Sequence, residues 1–389
     1  MKPKGRLAFR GGTVAVLLLV GVPVWLVGRA YRRECATHEL AIALYKDDTR
    51  SALAALRAGA DPNARRFEHD SPPTFGQSLR RFLQQLRGGK TVSDTEPDHR
   101  PPMLALAAEK NNTAVVQALL KAGAVPDAHA RYSKDNDFIY DENDMTDSKT
   151  GLMWAAQHNN AVMAKVLLDR GANANFYETR WGEAPLLKTT DPELMELLFT
   201  RGADVHAQLR HSKFAGITPL RNLILNAVGE DLTSRHYRCL DVLLAHGANI
   251  DEDGDSSKSE DESGFFRTAL DLVSRYGEPA DVRYILTKGA DISGNKGILA
   301  LGEAIDDGMA GNMRVLLAHG VDPNGRNEEG KTPLMLAVEQ GEDDPIRVLI
   351  AAGAKLNLRD KHGKTALRLA EEDDNGTVAD ILRAAGGRR

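Results

Sequence analysis

Thr332-Pro333-Leu334-Met335-Leu336-Ala337, followed 21 positions after Thr332 by Gly353-Ala354-Lys355-Leu356-Asn357, dictates the architecture of this chain. Each half carries a local instruction. A threonine hydroxyl caps the start of a helix, and proline fits the first turn, where no N–H is missed. The small alanine lets a second helix approach closely. The glycine ends that second helix in a left-handed conformation. The same interval separates Thr365 from Gly386, Pro102 from Gly123, Thr150 from Gly171 and Thr268 from Gly289. Counting back 21 positions from Gly320 reaches Leu299, and from Gly59 reaches His38, with apolar residues in the expected slots. A constant interval in seven copies marks a repeat of paired helices, each unit burying its apolar face only against its neighbours.

The phrases Thr-Pro-Leu and Gly-Ala-Asp-Pro-Asn, the latter at Gly59–Asn63 and in varied form at Gly171, Gly202, Gly247, Gly289 and Gly320, resemble the ankyrin repeat. That family is built from helix–turn–helix units of ~33 residues. The resemblance covers residues 34–387. It implies an all-α ankyrin-repeat solenoid of about nine helix–turn–helix repeats over 34–389, with another protein as partner, gripped by finger loops and inner helices. It is highly specific for fold and nearly silent on function.

Departures from the repeat carry more functional information. Regular intervals from Gly to the next Thr are 12 positions, as from Gly320 to Thr332, whereas Gly59 to Pro102 takes 43, Gly123 to Thr150 takes 27 and Gly247 to Thr268 takes 21. The resulting insertions, 64–99, 128–147 and 252–264, fall in the connecting fingers. Insertions gathered on one face of a solenoid often mark its binding face. In the first, Phe75, Leu79, Phe82, Leu83 and Leu86 share one side of a helix with Arg80, Arg81 and Arg87 opposite. That pattern suits packing against the stack, or lying on a nearby membrane surface. The second places Tyr132, Phe138 and Tyr140 among Asp135, Asp137 and Asp141, contact residues for a basic partner or a solvated loop. Phe75, Phe82 and these six residues are the candidate partner-binding set. In the third, Asp251, Asp253, Asp255 and Glu262 occupy positions 1, 3, 5 and 12 of a calcium loop. Ser256 stands where such a loop needs glycine, and Lys258 adds a positive charge, so no metal site is expected. Deleting 67–98 or 131–147 is expected to weaken partner capture and leave the stack folded. The fourth repeat is short, 18 positions from Ala184 to Gly202, which is expected to bend or loosen the array there.

Before the repeats, Gly11–Gly28 carries no charge and is bracketed by Arg10 and Arg29. Its 18 residues suffice for one transmembrane helix, 11–28, behind a basic cytoplasmic tail, 1–10. A cleaved signal peptide is the rival, but Arg29-Ala30-Tyr31-Arg32-Arg33 offers no small-x-small cleavage site. The spread of basic residues leans towards an exported, periplasmic repeat domain, and the Ala/Arg/Gly-rich composition with a short basic anchor looks bacterial.

A net charge of −5 without a basic stripe argues against nucleic acid. Cys35 and Cys239 stand 204 positions apart, and Cys239 lies among leucines as a buried thiol would. No phosphate-binding glycine loop, His-Glu-x-x-His or Gly-x-Ser-x-Gly occurs, and histidines such as His38, His158, His246 and His319 fall at packing or capping positions. The expectation is a non-enzymatic, cofactor-free scaffold held on the bilayer and binding a protein, with no small-molecule substrate. An immunity or inhibitor protein for a secreted effector, or an envelope organiser, are the alternatives.

Overall fold

In the computed structural model the described residues are 22–64, 73–86, 101–129, 149–178, 182–209, 216–227, 232–252, 268–327 and 329–389, with backbone alone at 22–24 and 81–86. No β-strand forms among them. The chain divides into two compact units, Met1–Thr189 with Thr200–Ala203, and Thr190–Phe199 with Asp204–Arg389.

Unit 1 holds α1 (Val22–Tyr45) and α2 (Thr49–Arg57), then α3 (Phe75–Leu86), α4 (Met103–Glu109) with α5 (Thr113–Lys121), and α6 (Gly151–Gln157) with α7 (Ala161–Asp169). First helices pack side by side in one layer and second helices in another. Between the layers lie Leu104, Val115, Val116, Leu119, Leu152, Met153, Met163 and Leu167, all essentially without solvent contact. At Gly151 the two layers approach closely: a Cβ there would stand 3.3 Å from Leu167. Burying each such leucine stabilises the fold by roughly 1.5–3 kcal/mol.

The fourth repeat is where the division falls. Its first helix shrinks to a single 3-10 turn, Pro185–Leu187, and its second is α8 (Pro192–Thr200). The shortened interval leaves room for one turn only.

Unit 2 continues with α9 (Pro219–Leu225) and α10 (Ser234–Ala245), α11 (Ala269–Tyr276) and α12 (Pro279–Thr287), α13 (Asn295–Asp306) and α14 (Ala310–Ala318), α15 (Pro333–Gln340) and α16 (Asp343–Ala351), α17 (Ala366–Glu372) and α18 (Gly376–Ala384). The same two layers recur. Helix starts carry the expected cap: the Thr150, Thr332 and Thr365 hydroxyls accept from Met153, Met335 and Arg368 N–H. At the far end of the second helices the glycine is left-handed, as at Gly123 (φ +98°) and Gly320 (φ +99°), a conformation that costs a side-chain-bearing residue about 1 kcal/mol or more.

Two expectations need correction. First, no break separates the expected span from the repeats. α1 runs unbroken from Val22 to Tyr45, so residues 22–28 and the first inner helix are one rod. No helix among the described residues is long and apolar enough to cross a membrane. Residues 11–21 of the expected span lie outside them. Second, α3 docks on α1. The buried Ser78 donates to the Glu34 carboxylate at 2.5 Å, and Phe75 meets Tyr31 edge-on with centroids 5.6 Å apart. Deleting 67–98 is therefore expected to uncover α1 rather than leave the stack intact.

Candidate functional site

Two ladders of hydrogen bonds hold neighbouring repeats in register, and they account for most of the polar motif residues. The finger ladder uses the residue four after each glycine. Its side-chain oxygen accepts from the backbone N–H two residues after the next repeat's glycine: Val125 to Asn63 at 2.8 Å, Asn173 to Asp127 at 2.9 Å, Asp291 to Asp251 at 2.9 Å, Lys355 to Asn324 at 2.6 Å and Arg388 to Asn357 at 2.6 Å. Where that residue is Asn, its amide also donates to the next glycine carbonyl, as Asn63 does to Gly123 at 2.9 Å and Asn175 to Gly202 at 2.7 Å. Gly-Ala-Asp-Pro-Asn is thus a register device.

The second ladder joins the turns between paired helices. Asn112 caps α5 while its amide donates to Asp47 (3.1 Å) and Thr49 (2.6 Å); Asn160 caps α7 while donating to Asn111 (2.7 Å) and Thr113 (3.0 Å). In unit 2 the fully buried Asn312 donates to the carbonyls of Val273 (3.3 Å), Ser274 (2.9 Å) and Gly277 (2.7 Å).

The inner-helix face differs between the units. Four and seven residues after the helix-opening position, unit 1 presents Ile42 and Tyr45, Leu106 and Glu109, Trp154 and Gln157. Tyr45 is 62% exposed and Ile42 37%. Half-buried Trp154 is framed by the Lys149 ammonium, 4.6 Å above its ring, and by the His158 imidazole stacked at 20°. His158 is itself fixed 2.9 Å from the Glu109 carbonyl. An aromatic held this way loses little side-chain entropy on binding. In unit 2 the four-on positions carry Asn222, Leu272, Glu303, Leu336 and Leu369, none of the leucines exposed, and the seven-on positions carry Leu225, Arg275, Asp306, Glu339 and Glu372. Ion pairs cross this face: Arg275–Glu303 (3.1 Å), Lys331–Glu339 (2.8 Å) and Lys364–Glu372 (2.5 Å). Among the described residues every large apolar side chain left exposed, Trp25, Leu26, Ile42, Tyr45, Phe75, Val125 and Val162, belongs to unit 1.

The residues expected at a site fare unequally. Tyr132, Asp135, Asp137, Phe138, Tyr140 and Asp141 lie outside the described residues, as do Asp253, Asp255 and Glu262. Phe75 opens α3 and stays 47% exposed; of Phe82 the backbone alone is described. Asp251 spends its carboxylate on the finger ladder. No group of three or more His, Cys, Asp or Glu able to hold a metal occurs among the described residues. Ile42, Tyr45 and Trp154 belong to no motif that marks them in the sequence. Aligning the inner-helix columns repeat by repeat is the signal that finds them.

The remaining chemistry-bearing groups serve packing. Cys239 is fully buried, its thiol donates to the Thr190 carbonyl at 3.2 Å, and burial pushes its pKa up to about 11. On the second helices of unit 2, Tyr237 donates to Asp281 (2.5 Å) and Tyr284 to Asp241 (2.6 Å), with rings 4.3 Å apart. Burial and the Asp241 carboxylate raise the Tyr284 pKa. Burial opposes ionisation of Asp241, but hydrogen bonds from Lys288 and Tyr284 outweigh it and hold its pKa low.

Comparison with known proteins agrees with this geometry. Residues 104–209 match the family described as ankyrin repeats (3 copies), and residues 305–370 the family described as ankyrin repeats (many copies). A stretch of 116 residues is 33% identical to Ankyrin repeat and SOCS box protein 11 of Danio rerio, covering 30% of this chain and 36% of that protein. The chain therefore spans about a third of the length of the curated relative it matches. With helix pairs, fingers and register ladders in the places these matches cover, residues 104–209 and 305–370 are ankyrin repeats.

Proposed function

We propose that the chain is a membrane-anchored protein-binding scaffold whose principal contact surface is the inner-helix face of unit 1. Ankyrin repeats generally mediate protein–protein interaction. The observation that carries the reading is that Ile42 and Tyr45 are exposed and Trp154 is half-buried in a polar frame on the inner helices of unit 1, when among the described residues unit 2 exposes no large apolar side chain and the Tyr45 column there carries Arg275, Asp306, Glu339 and Glu372. Rigid aromatics in a polar frame are the residue type that dominates binding energy at interfaces. By composition alone, the aromatics among carboxylates at 128–147 are a second candidate contact for that partner.

Anchoring rests on the uncharged run from Gly11 and on a Trp–Arg pair near its far end. Trp25 is 55% exposed and the Arg29 guanidinium lies 5.5 Å from its ring centre, a pairing suited to the headgroup layer. The proposed topology places the repeats on the exported side.

The test is capture from native membranes with the intact chain, beside a Tyr45→Ala/Trp154→Ala variant and a Glu339→Ala/Glu372→Ala variant. One stoichiometric partner is expected, lost from the first variant and kept by the second. Loss from the second with retention by the first would move the surface to unit 2.

A further inference from the structure

We infer that the finger edge of unit 1 faces the bilayer and lies against its lipid headgroups. The inference rests on the anchoring just proposed and adds a direction to it.

The direction comes from α1 being one rod. Its C-terminal half is the first inner helix, and its N-terminal half leads back towards the uncharged run at 11–21. The finger of the first repeat is tied to the middle of that rod: Asp61 N–H donates to the Thr37 hydroxyl at 2.8 Å, and the Asp61 carboxylate pairs with Arg33 at 3.1 Å. The turn at the opposite edge sits beyond its C-terminal end, where Asp47 receives the Asn112 amide. Val125 belongs to the finger edge, its N–H bonded to Asn63. With a helical rise of 1.5 Å per residue, the finger edge stands about 12 Å from the level of Trp25 and the turn edge about 33 Å from it. A helix entering the membrane at Trp25 therefore presents fingers, not turns, to the lipid.

The surface chemistry runs the same way. Trp25, Leu26, Phe75 and Val125, four of the exposed apolar side chains of unit 1, lie at or beyond the finger edge. On α1, Trp25, Leu26, Arg29, Arg32 and Arg33 fall within about 120° of one another, whereas Val27, Tyr31 and Glu34 share the opposite side. Val27 is buried and Glu34 and Tyr31 take the contacts from α3, so the arginine-bearing side is the outer one. Apolar and aromatic tips with adjacent arginines complement an anionic interface.

The experiment uses the full chain with Cys35→Ser, so that the one remaining native thiol is buried Cys239. Val125→Cys on the finger edge and Lys110→Cys on the turn edge of the same repeat each receive a fluorophore. Both proteins are reconstituted in phosphatidylcholine–phosphatidylglycerol vesicles carrying headgroup nitroxides, and circular dichroism verifies folding. The expected result is flotation with the vesicles and quenching at position 125 several-fold stronger than at 110. Flotation with equal or reversed quenching overturns the orientation and leaves the anchor standing. Failure to float removes the anchor reading, and the orientation with it.

Discussion

The turns of both units are joined by amides, with ion pairs added in unit 2, and the inner faces show a sharper division. Asn112 and Asn160 each bridge to the turn before them, and the helices beside them show Ile42, Tyr45 and Trp154. In unit 2 the corresponding strip carries Asp307, Glu339, Glu371 and Glu372, answered by Arg275, Lys331, Lys364, Arg368 and Arg383. The fold is the same in both. The repeat thus fixes helix spacing while leaving the inner columns open. One unit can keep apolar surface for a partner, and the other can commit its columns to its own ion pairs.

The largest contrast is expected at the partner. Trp154→Ala and Tyr45→Ala should each weaken binding by about 2 kcal/mol, roughly 30-fold, while Glu339→Ala stays within about threefold. Titration of the captured partner against each variant decides this. Equal effects in both units would erase the distinction.

Stability should separate a buried amide joint of unit 2 from a partly exposed one of unit 1 less strongly. Asn312→Ala leaves three buried carbonyls without their donor and is expected to cost about 2–3 kcal/mol; Asn160→Ala, which loses a helix cap in a partly exposed turn, should cost about 1–2 kcal/mol. Urea denaturation of both variants gives the order, and the reverse order would show the exposed ladder to be the stronger.

Acid gives a directional difference. In unit 2 hydrogen bonds from Ser293, Lys331, Arg389 and Lys364 hold Asp291, Glu329, Glu371 and Glu372 below the usual carboxylate pKa; in unit 1 Ser51 and Arg201 do so for Asp48 and Asp169. A carboxylate whose folded pKa is depressed contributes stability above its unfolded value near 4, and loses it as pH falls through the folded value. Hydrogen exchange followed from pH 5 downwards should therefore lose protection in α15–α18 before α4–α7. Simultaneous loss would show that these exposed pairs do not set the acid limit.

The smallest expected effect concerns Asp251. Asn occupies the same ladder position at Asn63 and Asn324, so Asp251→Asn should leave melting unchanged, whereas Asp251→Ala should cost about 1 kcal/mol. A melting shift on adding calcium that Asp251→Asn abolishes would restore the ion-loop reading.

Much of this fold was legible because its signals are local and periodic. Thr332, Pro333, Ala337 and Gly353 each state a backbone conformation, and a 21-residue spacing repeats them. The unbroken α1 was not legible, because Arg29, Arg32 and Arg33 end an apolar run without ending a helix; arginine is a good helix former. The docking of α3 could be read as packing from its apolar stripe, but not its target, since Glu34 and Ser78 lie 44 residues apart. The contact face was missed for a related reason. Tyr45 and Trp154 look like ordinary helix residues until the columns of neighbouring repeats are set side by side, whereas acidic and aromatic loops draw the eye by composition alone.

Hydrogen exchange of the intact chain, with and without its captured partner, reads the contact surface most directly. New protection is expected in α1 from Ile42 to Tyr45, in α4 and α6, and in the fingers beside them, with α11, α13, α15 and α17 unchanged. Protection confined to the inner helices of unit 2 would contradict the assignment of the surface to unit 1.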